Sequence, residues 1–405
     1  MACVRKRRGK WIVDFRDQNG RRRWETYDTR KEADAALARR HREVRAGSYI
    51  PQEAIPTFAE VAKDWLATKQ DYRAASYAHW QGHLDLHLIP AIGDFRLDQI
   101  RVSDVDTFRV DRRKANLAPK TVNKMLTTGA AVFAFAAKRE LIERNPFAVA
   151  DRCRLNAGEV TVSFEATSGD SDVDTVVDPA SVLSPDQAHR LVQHAAPGFY
   201  QTFFLTALLT GARVGELTAL TLADIDFDAG TILIRRSVSW ARHRGEKGPC
   251  TARFYEPKTV ASRRLAEMPP ELAAALRRWI LACPKGEHRL VFPTTDGTRP
   301  RHRTTIAKEG LQPALKAAGL PPVTIHSLRH TFASSLILNG CPVTEVAHRL
   351  GHSNPATTLR VYAHFFAAVK TNAVAELAQI VCGSKTVAAP PESGGAATGH
   401  AALSA

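Results

Sequence analysis

Tyr362 follows Thr357, Thr358 and Arg360 on a segment that leaves the turn Leu350-Gly351-His352-Ser353-Asn354-Pro355 and reads as a helix from Ala356 to about Ala367. Tyrosine is usually a packing residue, but its phenol can act as an oxygen nucleophile where cations stabilise the phenolate and the phosphate it attacks. Suitable cations stand elsewhere in the chain. Arg213 opens a helix after a break at Gly211, and Glu216 lies three residues on along the same face. A carboxylate so placed can aim the guanidinium at an anion, although Arg-x-x-Glu is also a common surface pair. Val323 to Leu338 reads as a helix ended by Asn339-Gly340, with His326 and Arg329 one turn apart on a common face and Leu328, Phe332 and Leu336 directed to the core. His330 lies about 100° away around that helix and is left out of the pair. Lys258, in Phe254-Tyr255-Glu256-Pro257-Lys258-Thr259, falls near the turn of a β-hairpin whose first arm is Ile232 to Trp240. Its ammonium is either solvated or able to deliver a proton to a leaving oxygen.

The elements that hold these residues fall into separate segments. Residues 10 to 28 alternate apolar and polar side chains around Asn19-Gly20, which predicts an antiparallel ribbon. A helix follows from a Thr29 cap through Arg45, stopped by Gly47. Arg21, Arg22 and Arg23 then sit on a small basic domain over residues 1–50, where they either enter a DNA groove or are merely solvated. From Thr57 the pattern is entirely helical, with one stripe through Phe58, Val61, Ala62, Trp65 and Leu66 and another through Val122, Met125, Leu126, Val132 and Phe133. This predicts a helical domain over 57–148, on which Lys120 and Lys124 face phosphates or water. An acidic, aperiodic stretch over 149–180 reads as a flexible linker. Ser184 and Pro185 start a large second domain, 181–382, and the Ala-, Gly-, Ser- and Pro-rich tail 383–405 lacks the apolar residues to order itself. The expected fold class is mainly α with small β-sheets (α+β).

Composition narrows the function classes. The chain of 405 residues carries 56 Lys plus Arg against 41 Asp plus Glu, a net charge of +15. Residues 1–50 alone hold fifteen basic and seven acidic side chains. A basic surface that releases counterions from a polyanion makes DNA the natural partner. With no run of eighteen uncharged apolar residues and no apolar core behind the basic start, the chain is expected to be neither secreted nor embedded in a membrane. Six scattered cysteines without metal spacing point to reduced thiols, no metal site and a cytoplasmic setting.

In order and spacing the chemical segments closely resemble the catalytic domain of the tyrosine recombinase, or phage integrase, family over about residues 180–380. The stretches that carry the resemblance are Thr210-Gly211-Ala212-Arg213-Val214-Gly215-Glu216-Leu217 with Asp224-Ile225-Asp226, and Pro257-Lys258-Thr259 with Ser262-Arg263-Arg264. The others are His326-Ser327-Leu328-Arg329-His330-Thr331, and Leu350-Gly351-His352-Ser353 with Tyr362-Ala363-His364. Residues 57–148 look like the family's core-type DNA-binding domain and 1–50 like its arm-type domain.

The resemblance implies that Tyr362 attacks a scissile phosphate to give a 3′-phosphotyrosyl link. Arg213 and Arg329 would clamp the nonbridging oxygens, which suits their planar forks of donors. His326 and His352 would complete the phosphate pocket, Lys258 would be the general acid, and Glu216 would support Arg213. It implies no cofactor, no metal and no ATP. The implied partners are double-stranded DNA attachment sites, a homotetramer in the synaptic complex, with the helical and catalytic domains clamping each duplex, and accessory DNA-bending or directionality proteins. The setting would be nucleoid-associated, in a bacterial cell or phage-infected host. The long loop Arg242 to Thr251 and the weak strand Leu265-Ala266-Glu267-Met268 depart from the family pattern. Two alternatives are a type IB topoisomerase-like relaxing enzyme, against which the two appended DNA-binding regions speak, and a DNA-binding regulator without cleavage, against which the six filled catalytic positions speak. The helix Val369 to Ile380, with Val374, Leu377 and Ile380, either packs on its own domain or docks on a neighbour.

Overall fold

The computed structural model describes residues 3–47, 49–51, 54–154, 177–241, 250–256 and 263–368. The chain divides into two units, Met1–Ser171 with Trp240–Arg253, and Asp172–Ser239 with Phe254–Ala405. The fold is mainly helical with small antiparallel sheets, as the periodicity predicts.

The first unit opens with strands Cys3–Arg7, Lys10–Arg16 and Arg22–Tyr27 in one antiparallel sheet. The expected ribbon is present, with Trp11 opposite Tyr27 and Val13 opposite Glu25, but it carries a third strand. Cys3–Arg7 offers little beyond Val4, opposite Val13, to betray itself among basic residues. The turn differs as well. Asp17 to Arg21 form a longer loop in which the Asp17 carboxylate accepts from the N–H groups of Asn19 (3.0 Å) and Arg21 (2.9 Å), so the turn is not a two-residue Asn19-Gly20 connection. The helix Arg30–Ala46 begins with a Thr29–Glu32 capping box and ends at Gly47, whose φ of 73° favours glycine. Its Ala33 and Ala36 share a small core with Val13, Phe15 and Tyr49.

The helical segment packs Phe58–Ala67, Ala74–His83, Val102–Lys114 and Pro119–Lys138 around Phe58, Trp65, Leu126 and Phe133. At roughly 1.5–3 kcal/mol for each buried large apolar side chain, this core is the main stabilising term. Packing runs past residue 148. Ala150 is buried, and the Asn123 amide brackets Cys153, donating to its carbonyl (3.0 Å) and accepting from its N–H (2.8 Å). The start of the expected linker is therefore docked here.

In the second unit Ser184 and Pro185 start the helix Pro185–His194 as expected, Ser184 pairing with Gln187 in a capping box. The helices Phe199–Thr210, Pro270–Ala282 and Ile325–Leu338 surround a core that includes Phe203, Phe204, Leu272, Phe292 and Leu328. One sheet runs Ile225–Asp226, Thr231–Ile234, Arg264–Glu267, with the middle strand antiparallel to both neighbours. Ile232 to Trp240, expected as one strand, splits at Arg235-Arg236, and Ser237–Ala241 joins Thr251–Tyr255 in a separate two-stranded sheet. A second apolar cluster gathers Val177, Ala333, Ile337, Val346, Leu350, Val361 and Tyr362. Val177, at the end of the expected linker, is thus also docked. Among the described residues no helix is long and apolar enough to cross a membrane, five cysteines are free and no group of three metal-ligating side chains occurs. The Val369 to Ile380 helix and the tail 383–405 lie outside the described residues.

Candidate active site

Gly211 ends the helix Phe199–Thr210 in the left-handed region, φ 60°, where a Cβ would also strike the Phe332 ring. The chain leaves this turn through Arg213, the cap of the short helix Val214–Leu217. Glu216 accepts from the Arg213 N–H (2.9 Å) and from its guanidinium (3.0 Å). The expected Arg–Glu pair is therefore local geometry, with the carboxylate holding both backbone and side chain.

Glu216 is buried, and Oε2, the oxygen that takes the Arg213 N–H, also accepts from the guanidinium of Arg264 at 3.0 Å. Burial alone would raise its pKa, but the charges of Arg264, Arg213 and Arg329 outweigh this and hold it at about 2. Arg264 is itself buried and donates to the carbonyl of Arg349 (2.8 Å). It belongs to the Ser262-Arg263-Arg264 stretch but was not among the expected site residues, because nothing in sequence pairs it with a carboxylate 48 positions away.

Thr324 caps the helix Ile325–Leu338, which starts two residues later than Val323. Leu328 is fully buried, while Phe332 and Leu336 are only partly so. Arg329 is 2% exposed. A buried guanidinium is tolerated only with its donors satisfied, and Arg329 donates to the carbonyls of Gly211 (2.8 Å) and Leu350 (2.8 Å) and to Nε2 of His352 (3.1 Å). It ties together the turns that carry Arg213 and His352. Because Nε2 of His352 accepts, its proton sits on Nδ1, which donates to the buried Thr358 hydroxyl at 2.7 Å.

Tyr362 lies on the helix Pro355–Ala368, close to the expected span, but its own backbone (φ −117°, ψ 16°) breaks the helical geometry. The side chain is 1% exposed. Its phenol is 2.7 Å from Nδ1 of His330, and the His330 ring stands edge-on to His326 with centroids 4.5 Å apart. This corrects the exclusion of His330. The 100° offset along one helix is real, but the Tyr362 helix packs across that flank, a tertiary fact the sequence did not carry.

The structure thus gathers Arg213, Glu216, His326, Arg329, His352 and Tyr362 within one unit, and adds His330 and Arg264. Lys258 lies outside the described residues. The remaining candidates belong to the first unit. Arg22 is bound through two nitrogens to the Asp14 carboxylate (2.9 and 2.5 Å) and Arg23 donates to Asp17 (3.0 Å), so these two are ion-paired rather than simply solvated, while Arg21 is exposed. Lys120 is exposed on the helix Pro119–Lys138, and Lys124 has its pKa lowered by burial and by the charge of Lys120.

Comparison with known proteins gives the family and the fold. The sequence model of the phage integrase family matches residues 181–368, and that of the phage integrase central domain matches 58–152. The chain is 28% identical over 364 residues to a prophage phiRv2 integrase of Mycobacterium tuberculosis, covering 88% of this chain and 89% of that protein. It is 26% identical over 356 residues to the ICEBs1 integrase of Bacillus subtilis, covering 84% and 87%. Among solved structures, the Tn1549 transposon integrase in complex with transposon right end DNA aligns with a TM-score of 0.60 at 21% identity, over 80% of this chain and 99% of that one. A lambda integrase dimer bound to a core site aligns with a TM-score of 0.54 at 16% identity, over 90% and 94%. The fold is that of these enzymes, and the chain belongs to the phage integrase family of tyrosine recombinases, enzymes that cut and rejoin DNA.

Proposed function

We propose that this recombinase integrates and excises a phage or other mobile element through a covalent bond to Tyr362. The observation that carries the reading is the linkage of Arg213, Arg329 and His352 through shared hydrogen bonds in the unit that also holds the Tyr362 phenol. The phenol oxygen attacks the scissile phosphorus, an O–P bond to Tyr362 forms, and the bond to the 5′ oxygen breaks. Arg213 and Arg329 stabilise charge on the nonbridging oxygens, with His326 and His352 completing the pocket. Lys258 gives its proton to the departing 5′ oxygen. Glu216 and Arg264 position Arg213. His330 is at hydrogen-bond distance to take the phenol proton as attack begins. Side-chain cations supply the electrostatics, and the retained phosphodiester energy lets the strand rejoin without ATP, so neither metal nor nucleotide enters the scheme.

Under this proposal residues 1–50 hold arm sites through Arg21, Arg22 and Arg23, and residues 57–148 hold core sites through Lys120 and Lys124. Exchange takes place in a homotetramer on two duplexes, with accessory DNA-bending or directionality proteins, in the cytoplasm. Incubating the protein with duplexes that span the ends of its element should yield a covalent adduct whose nuclease-trimmed peptide carries nucleotide on Tyr362. An adduct at another residue, or strand exchange with none, overturns the assignment.

A further inference from the structure

A second cationic cleft lies beside the catalytic turn. It measures about 360 Å³ and is lined by Thr221, Arg235, Arg236, Glu287, His288 and Arg289, with Leu222 and Ala223. Behind this lining the buried carboxylate of Asp224 holds two of its arginines. One oxygen accepts from Nε of Arg235 (2.6 Å), and the other from Arg236 (2.5 Å) and from the N–H (2.9 Å) and hydroxyl (2.7 Å) of Thr221. These four donors all come from Thr221, Arg235 and Arg236, so Arg289 is not among the groups that Asp224 holds.

Donors nevertheless remain. Nε of Arg236 is buried with no hydrogen-bond partner among the described residues. Arg289 is exposed, is held at φ 46° in the left-handed region, and has its carbonyl fixed by the Leu222 N–H at 3.0 Å. Three guanidiniums and an imidazole line the cleft, and among the described residues of the lining Glu287, which is exposed, is the one carboxylate. A closed structural ion-pair network would balance its charges and use up its donors. Here the exposed guanidinium of Arg289 lines the cleft with no ion pair among the described residues, an arrangement that can take a phosphate.

Position adds to chemistry. A Cβ on Gly215, inside the Arg213–Glu216 turn, would meet Oγ of Ser237 and the carbonyl of Val238 at 2.7 Å. The strand that begins directly after Arg236 thus lies against the turn that carries Arg213. We infer that the Arg235–Arg236–Arg289 cleft seats a backbone phosphate of the bound duplex, away from the scissile one, with Asp224 as the positioning residue that holds two of the three guanidiniums. The inference rests on the recombinase reading and adds a DNA contact to it.

The test uses the full chain with Tyr362→Phe, which binds without cleaving, on a core-site duplex. Adding Arg289→Gln, an exposed change that leaves the Asp224 pairs intact, should weaken binding about tenfold at moderate salt and flatten the slope of log Kd against log[salt] by about one. Replacing single phosphates by neutral methylphosphonates should locate one position where the parent loses affinity and the Arg289→Gln protein loses nothing more. An unchanged slope, or losses that add at every phosphate, overturns the inference. Inorganic phosphate that raises the parent Tm but not that of Arg289→Gln, with the duplex slope unchanged, assigns the cleft to free phosphate and also overturns it. If the parent binds duplex and only this contact is missing, the recombinase reading stands; if the parent binds no duplex, that reading falls with it.

Discussion

Nδ1 of His330 and the phenol oxygen of Tyr362 stand 2.7 Å apart. In the proposed mechanism the phenol proton passes to Nδ1 of His330, which requires that nitrogen to be the unprotonated one. Replacing His330 by Ala leaves the phenol buried without that acceptor. The rate of covalent adduct formation is expected to fall about 10²–10⁴-fold, with duplex affinity within about threefold of wild type. Single-turnover cleavage by wild type and His330→Ala gives the decisive reading, because loss of the acceptor should slow bond formation and spare binding. Equal rates for the two proteins would return His330 to a packing role.

Glu216 offers a pH-dependent test. Its folded pKa of about 2 lies below the ordinary 4.5, so its contribution is fully present above pH 4.5 and is lost as pH falls from there through about 2. Linkage over that interval is worth roughly 3 kcal/mol. Glu216→Gln removes the charge and leaves buried Arg264 uncompensated, which should cost about 3–5 kcal/mol at neutral pH. Urea midpoints for both proteins should differ most at pH 6–7 and converge toward pH 2–3. A difference constant across this range would show that the carboxylate charge is not what holds Arg264 and Arg213.

Val177 is another neighbour of the nucleophile. Its N–H donates to the carbonyl of Val361 at 3.0 Å, directly before the non-helical backbone of Tyr362, and its side chain is buried in the same apolar cluster. Val177→Pro deletes the donor, whereas Val177→Ile keeps it and preserves the apolar side chain. The proline variant should cut cleavage about tenfold or more while leaving duplex affinity unchanged, and the isoleucine variant should cleave at close to the wild-type rate. Equal cleavage by both variants would remove the backbone contact from any role in placing Tyr362.

What the sequence made legible follows the range of the interactions. Thr29 and Ser184 were legible as helix caps, and Arg213 with Glu216 as a pair, because each acts on residues three positions away in the chain. Arg329 could be placed on the right helix face, but not its bonds to Gly211 and Leu350, which lie 118 and 21 positions away. His330 was missed for the same reason, since helix periodicity describes one helix and Tyr362 approaches from another. The break at Arg235-Arg236 was hidden because the strand pattern of Ile232 to Trp240 does not reveal that Asp224 grips both arginines. Val4 was too lone an apolar residue to announce a third strand.

The central claim is that Tyr362 forms the covalent bond. Wild type and Tyr362→Phe should be incubated, in EDTA and without ATP, with a suicide duplex nicked beside a candidate attachment site, then resolved by denaturing electrophoresis. The account predicts a protein-linked DNA band from wild type and none from Tyr362→Phe, with both binding the duplex equally. Tight binding by wild type with no covalent band, or a band that persists in Tyr362→Phe, would contradict it.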